Sequence, residues 1–161
     1  MPTPATHAWK PSNARLVTID TFVPVPRGTS AVAPAPFNWP TKDPADVLDY
    51  ILDIAPAITG NDGDSIATLD VSVSPSSPGD LTVQSATTDG SRIVLWLAQG
   101  FAGTVYTITF AIATTNGRTL SRSVLLPVLS LSTPVIPANA LLAASGVALT
   151  DQNGNPVLLG S

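Results

Sequence analysis

The clearest pattern in the sequence is an alternation of apolar and polar residues along its middle part. Thr104–Thr114 places Tyr106, Ile108, Phe110 and Ile112 on one face and mainly Thr and Ala on the other. A period of two residues is typical of a half-buried β-strand. The pattern predicts six or seven strands in this part of the chain. Six of them can be given bounds, at Val47–Ile54, Ile66–Val73, Leu81–Ser85, Arg92–Leu97, Thr104–Thr114 and Thr119–Leu126.

Turn signals separate these strands every 8–12 residues, which is typical of an immunoglobulin-like or fibronectin-III-like β-sandwich. We therefore predict an all-β sandwich over residues 41–129. Asn116-Gly117 predicts a type I′ hairpin turn, because such a turn needs positive φ at both central residues. Tyr106 enters its strand after a small-residue turn. It is interpreted either as a tyrosine corner, whose hydroxyl bonds back to the backbone, or as an ordinary core residue.

The first forty residues read as a proline-rich arm. Nine of the sixteen prolines lie in residues 1–44, and Trp9, Phe22, Phe37 and Trp39 are spaced along the same stretch. Proline favours extended backbone and lowers the entropy lost on docking, while aromatic rings supply buried area. We therefore predict that these four residues bind a partner, the alternative being that the arm packs on its own domain.

Residues 130–161 form a tail with a different pattern. Ala138–Ala144 is expected to make one or two helical turns, and Val147–Thr150 with Pro156–Leu159 reads as a small hairpin turned by Asn153-Gly154. An isolated hairpin is only marginally stable in water, so it is expected to dock on its own domain or on the sheet edge of a neighbour. Val157 and Leu158 are its candidate partner contacts.

Composition narrows the class of protein. All eleven acidic residues are Asp, there is one His and no Cys, and only 11% of residues are charged against 44% hydrophobic. The missing Cys excludes disulfides and cysteine zinc sites, and a net charge of −4 argues against a nucleic-acid surface. No apolar run reaches the length of a membrane span. Because the chain is apolar and carries few charges, we expect part of its surface to be buried in contacts with other subunits.

The search for chemistry yields no catalytic set, cofactor site or metal site. His7 lies near the start of the chain, where a catalytic triad could not hold it rigidly. Asp43, Asp46, Asp49 and Asp53 form the densest acidic run. Asp43-Pro44 is expected to begin a turn, and the other three are expected to face solvent, because an alternating strand exposes every second side chain. Asn61–Asp64 resembles an oxygen-rich calcium loop without the closing Glu, and a turn explains it equally well. We expect no enzyme activity and no cofactor.

Three segments resemble a known family. Trp39–Tyr50 reads W-P-T-K-D-P-A-D-V-L-D-Y, Gly63–Ile66 adds a G-D-S-I step, and Ala102–Thr109 reads A-G-T-V-Y-T-I-T. Together they resemble the fibre–tail adaptor proteins of tailed phages, over about residues 39–127. The strand after the G-D-S-I step lacks the Trp that members often carry, since Leu69 and Val71 stand there.

The resemblance implies a virion structural protein that assembles in the host cytoplasm and joins tail fibres to the tail or portal-adaptor assembly. Its implied partners are other virion proteins, including tail fibre, adaptor or nozzle and portal-proximal proteins, and further copies of itself. No nucleic-acid or membrane contact is expected. The alternative is a capsid decoration protein that binds the major capsid lattice. A third reading, a carbohydrate-binding module, would need an exposed aromatic residue such as Trp96.

Overall fold

A computed structural model describes residues 12–19, 35–60, 63–132, 139–144, 146, 148–152 and 156–159. The chain divides into two compact units, Met1–Ser130 and Leu131–Ser161. The first unit contains a 3₁₀ turn (Asn13–Arg15), a short helix α1 (Ala55–Ile58) and eight strands. The strands are β1 (Leu16–Thr18), β2 (Phe37–Asn38), β3 (Leu48–Asp53), β4 (Ile66–Ser74), β5 (Thr82–Asp89), β6 (Arg92–Ala98), β7 (Thr104–Thr114) and β8 (Thr119–Val128).

The eight strands form two four-stranded sheets with one apolar core between them, so the predicted all-β sandwich is confirmed. One sheet has the order β1-β3-β6-β5 and the other β2-β8-β7-β4. All neighbours are antiparallel except β1 with β3 and β2 with β8. The finer immunoglobulin-like assignment stays a prediction. Among the described residues, no helix is long and apolar enough to cross a membrane.

The six predicted strands are all present, and alternation explains why. In β7 the side chains of Tyr106, Ile108 and Phe110 are fully buried. Thr107 and Thr109 between them are half-buried, and Val105 and Ala111 on either side are exposed. Burying one face of each sheet against the other supplies the main stabilisation of the unit. β5 runs four residues further than predicted, to Asp89, because it continues to pair with β6 as far as Arg92.

Two short segments of the predicted arm belong to the sheets. Leu16–Thr18 pairs in parallel with β3 and Phe37–Asn38 in parallel with β8. Ile19, which follows β1, is fully buried and belongs to the core cluster. Neither segment alternates over enough residues to be recognised as a strand, so their pairing is a consequence of the fold and not of local pattern.

A buried hydroxyl fixes the loop that precedes β7. The Tyr106 hydroxyl accepts a hydrogen bond from the Phe101 amide at 2.9 Å and donates to the Asp80 carboxylate at 2.6 Å. Asp80 in turn accepts from the Ser77 amide at 2.7 Å. The hydroxyl thus bonds back to the backbone five residues upstream, as a tyrosine corner does. Gly100 allows the ring this close, because a Cβ there would lie 3.2 Å from it.

The β7–β8 hairpin is present, but the predicted type I′ turn is wrong. Gly117 has φ +85°, whereas Asn116 does not have positive φ. The Gly117 amide donates to the Thr114 carbonyl at 3.1 Å, and the Thr114 amide donates to the Arg118 carbonyl at 2.9 Å. This is a three-residue loop, a turn closed by one left-handed glycine. The sequence signal Asn-Gly indicates the hairpin but does not fix the loop length.

The second unit consists of short extended segments. Ala140 and Leu142 lie in antiparallel bridges to Leu158 and Ala148, so the expected helical turns at Ala138–Ala144 are wrong over the described residues 139–144. Alanine-rich sequence favours a helix only weakly, and backbone pairing overrides it here. Thr150 bridges Pro156, as in the predicted hairpin. Its turn, Asn153-Gly154, lies outside the described residues.

Two buried tyrosines allow a matched test of the Tyr106 network. Tyr106→Phe leaves the Asp80 carboxylate and the Phe101 amide without their partner, and we expect a loss of about 1–3 kcal/mol in the free energy of unfolding. Tyr50→Phe should change the free energy of unfolding by about 0.5 kcal/mol or less, because the buried Tyr50 hydroxyl has no hydrogen-bond partner among the described residues. Urea unfolding measures both, and equal losses would contradict the network's role.

Candidate partner-binding surfaces

The predicted N-terminal contact residues have different positions. Trp9 and Phe22 lie outside the described residues. Phe37 is half-buried in β2 and packs against the core. Trp39 is only 2% exposed, its indole N–H donates to the Ile51 carbonyl at 3.0 Å, and its ring lies 5.2 Å from that of Tyr50. Because β2 pairs with β8, the following Trp39 is carried into the core, where it stabilises its own sandwich and is not accessible to a partner.

A carboxylate on β3 anchors the N-terminal segment 12–19. Asp49 accepts a hydrogen bond from the Ser12 amide at 2.8 Å, and the Arg15 guanidinium binds both the Asp49 carboxylate and its backbone carbonyl at 2.5 Å. The same guanidinium lies 5.9 Å from the centre of the Tyr50 ring. An arginine fork that meets an acceptor pair is among the stronger charge-assisted contacts. The segment is therefore attached to the sandwich by side chains as well as by β1.

The expectation that the acidic run faces solvent is wrong for Asp49, which is only 6% exposed. Asp43 begins a turn with Pro44, as expected, because its carbonyl accepts a hydrogen bond from the Asp46 amide at 3.1 Å. Alternation exposes the outer residues of a strand only when nothing covers them, and segment 12–19 binds Asp49. Burial by itself would raise the pKa of Asp49, but the hydrogen bonds from Ser12 and Arg15 outweigh it and lower the pKa below its ordinary value.

Asp64, an acidic residue of the candidate calcium loop, accepts hydrogen bonds from its own chain. Asp64 accepts hydrogen bonds from the amides of Ser65 and Asn116 and from the Thr115 hydroxyl, at 3.0–3.1 Å. These contacts tie the start of β4 to the β7–β8 hairpin. Asn61 and Asp62 lie outside the described residues. Within the described part of the chain, no group of three His, Cys, Asp or Glu side chains is placed to hold a metal ion.

The outer face of the β4-β7-β8 sheet carries a shallow cavity of about 560 Å³. Its lining includes three aliphatic residues that also pack in the core, Leu69, Ile112 and Leu120. The other lining residues are small, apart from one carboxylate: Thr68, Asp70, Ala111, Ala113, Thr119 and Ser121. Alanine and hydroxyl side chains offer neither an acid–base pair nor a stacking ring. This face can therefore accept a protein surface but has no chemistry for a reaction.

The second unit exposes the largest concentration of apolar side chains in the described chain. Val157 and Leu158, both predicted as partner contacts, are 41% and 52% exposed. The sequence reasoning missed five further apolar residues that are exposed in the same unit, Leu131, Leu141, Leu142, Leu149 and Leu159. Exposed apolar side chains clustered in so small a unit indicate an interaction surface.

Backbone hydrogen bonds close this unit into a ring, which we call the tail module (residues 139–159). The Leu141 amide donates to the Val157 carbonyl, Val157 to Leu149, and Leu149 to Leu141, at 2.7–2.8 Å. The sequence contains a repeat that corresponds to the tail module, but its period is shorter than the roughly 20–50 residues of the structural repeats usually searched for. The triplets Ala140–Leu142, Ala148–Thr150 and Pro156–Leu158 recur every eight residues.

Residues 42–127 match the protein family described as podophage GP4 fiber-tail adaptor protein gp77. This match covers more than half of the chain. The chain belongs to this fibre–tail adaptor family. The resemblance inferred from the sequence motifs is thus confirmed, and membership implies a phage virion component. No curated protein matches the chain.

The Asp49 anchor gives a prediction that can be measured by pH. The pKa of Asp49 is lower in the folded protein than in the unfolded chain. The ionised carboxylate therefore makes its full contribution to the free energy of unfolding at pH values above the ordinary pKa of about 3.9. This contribution is then lost as the pH falls through the lowered folded value. We expect Asp49→Asn to reduce the free energy of unfolding by about 2 kcal/mol at pH 7 and to flatten its decline below pH 4.

Urea unfolding at pH values from about 2.5 to 7 measures the free energy of unfolding of Asp49→Asn and of a control variant, Arg92→Met. Arg92 pairs with Asp53 at 3.4 Å but its side chain is 47% exposed, so this variant is expected to cost less than about 1 kcal/mol. Proteolysis after Arg15 should accelerate in Asp49→Asn alone. Equal effects of both substitutions would contradict a special role for Asp49 in holding the segment.

Proposed function

We propose that this protein is a non-enzymatic structural adaptor that joins tail fibres to the tail of the virion. The family match over residues 42–127 is the observation that carries the proposal. In this proposal the sandwich is the rigid unit, and the parts of the chain on either side of it, residues 1–40 and 130–161, provide the connections. Trp9 and Phe22 stay candidate contacts of the N-terminal part, and Val157 and Leu158 of the C-terminal part.

The surfaces of the described residues support a role in binding proteins. The cavity on the outer sheet face is lined by aliphatic side chains and by small hydroxyl and methyl side chains, and Asp70 is the only charged residue among them. The tail module exposes six large apolar side chains. Uncharged surface of this kind suits permanent contacts between virion proteins, which bury apolar area and carry few charges at their centre.

The proposal also includes assembly in the host cytoplasm and several copies of the chain in one symmetric structure. The absence of Cys is compatible with assembly in a reducing compartment. Each copy would occupy an equivalent position around the tail, as closed symmetry requires of a homo-oligomer.

A phage with a stop codon in this gene tests the proposal. We expect particles with normal capsids and tails but without fibres in negative-stain electron microscopy, and restoration of fibres when the chain is supplied in trans. Virion copy number, from quantitative mass spectrometry against the major capsid protein, should be about a dozen or fewer, as expected of one closed ring. Hundreds of copies per particle, or fibres retained without the protein, would contradict the adaptor role.

A further inference from the structure

The tail module has internal threefold pseudosymmetry. Its three triplets are Ala140–Leu142, Ala148–Thr150 and Pro156–Leu158, and each is related to the next by a shift of eight residues. The first residue of each triplet bridges the last residue of another, in the pairs Ala140 with Leu158, Ala148 with Leu142 and Pro156 with Thr150. No triplet is left without a neighbour on either side, so the arrangement is a closed triangle.

The middle residues of the triplets are equivalent. Leu141, Leu149 and Val157 each donate one backbone hydrogen bond to one neighbour and accept one from the other. Their exposed fractions are nearly equal, at 37%, 43% and 41%. Adjacent side chains of an extended segment point to opposite faces. These three therefore share one face of the triangle, which we call the apolar trio. The bridge residues point to the other face, where Leu142 and Leu158 are also exposed, so Leu158 would meet a different surface from Val157.

Charge decides what kind of surface can cover the trio. Residues 131–161 contain no Lys or Arg, and their only acidic residue is Asp151. A charged partner surface would lose its hydration here without gaining an ion pair, which is unfavourable. The occupant must therefore be apolar and uncharged at the contact, with area enough to cover three large side chains.

Symmetry decides how that surface is arranged. Three equivalent apolar side chains around one axis are best met by three equivalent pockets around one axis. We propose that the apolar trio of a single chain docks on the threefold axis of a homotrimeric partner, one residue in each protomer. The inference rests on the proposed function, which makes the fibre the partner to test, so that one adaptor chain binds one fibre trimer.

The test uses the full chain and the assembled fibre protein of the same phage, purified separately. Light scattering coupled to gel filtration gives the stoichiometry, and calorimetry gives Kd. We expect one chain per three fibre chains. Leu141→Asp, Leu149→Asp and Val157→Asp should each raise Kd by about 10-fold or more, and by similar factors, because each removes one of three equivalent anchors.

The control is Thr150→Asp, an equally charged change at an exposed bridge position on the opposite face, which should leave Kd within about threefold. Leu141→Ala, Leu149→Ala and Val157→Ala, which add no charge, should show equal but smaller losses. Urea unfolding verifies that all variants stay folded.

Several results would overturn the inference. They are a complex with one adaptor chain per fibre chain, a fibre that is not trimeric, a loss confined to one of the three positions, and self-association of the adaptor through the trio. If the wild-type chain binds the fibre in one of these other ways, the proposed function stands and only the threefold docking fails. If it does not bind, and phage lacking the gene still carries fibres, both fail.

Discussion

The sandwich depends on one buried ammonium group. Lys42 has no exposed surface, and its Nζ donates to the carbonyls of Asp43 at 2.7 Å, Gln99 at 2.9 Å and Pro44 at 3.4 Å. Its own backbone bonds to Pro127 and Leu129, beside the end of β8. Burial lowers the pKa of Lys42, against the attraction of the Asp46 and Asp43 carboxylates. A buried charge of this kind is tolerated only because its N–H donors are hydrogen-bonded. Because these partners lie before β3, at the end of β8 and in the loop before β7, those three segments must keep their relative positions.

The aspartates of the sandwich follow the same logic. Asp49, Asp53, Asp64 and Asp80 each accept hydrogen bonds from backbone amides or side-chain donors that lie far away in the sequence or close a local turn. A chain with few charges thus uses several of them to hold loops and segments in place, and its outer sheet face is left almost uncharged. Lys42 and Tyr106 belong to the motifs that mark the family, and both are buried. These two motif residues therefore serve the scaffold, whereas the proposed partner contacts lie outside the matched residues 42–127: Trp9, Phe22, Val157 and Leu158.

How far the sequence predicts the structure follows from the range of the interactions concerned. The strands β3, β4, β6, β7 and β8 were predictable because a run of closely spaced apolar residues is a local signal. One face is buried in β7, whereas consecutive residues on both faces are buried in β3 and β6. The pairing of β1 and β2, the burial of Trp39 and the anchoring role of Asp49 were not, because each requires a partner tens of residues away. Val157 and Leu158 were predicted as partner contacts. Leu141 was missed because its stretch was interpreted as helical, and Leu149 was missed although its stretch was assigned to the hairpin. Only the eight-residue recurrence, read together with the backbone bridges, relates the three positions to each other.

A repeated triplet within one chain has a consequence that three separate chains would not have. A homotrimeric contact imposes threefold symmetry on everything rigidly attached to it. When a single chain folds into a pseudo-threefold triangle, only that triangle has to match the threefold axis, and the sandwich of the same chain has no symmetry partner there. The sandwich is then free to obey a different symmetry, such as that of a ring of adaptors around a tail. In the proposed docking, internal repetition in the tail module would separate the symmetry of the partner from the symmetry of the assembly that carries it, which is the geometric requirement for joining two structures of unlike symmetry.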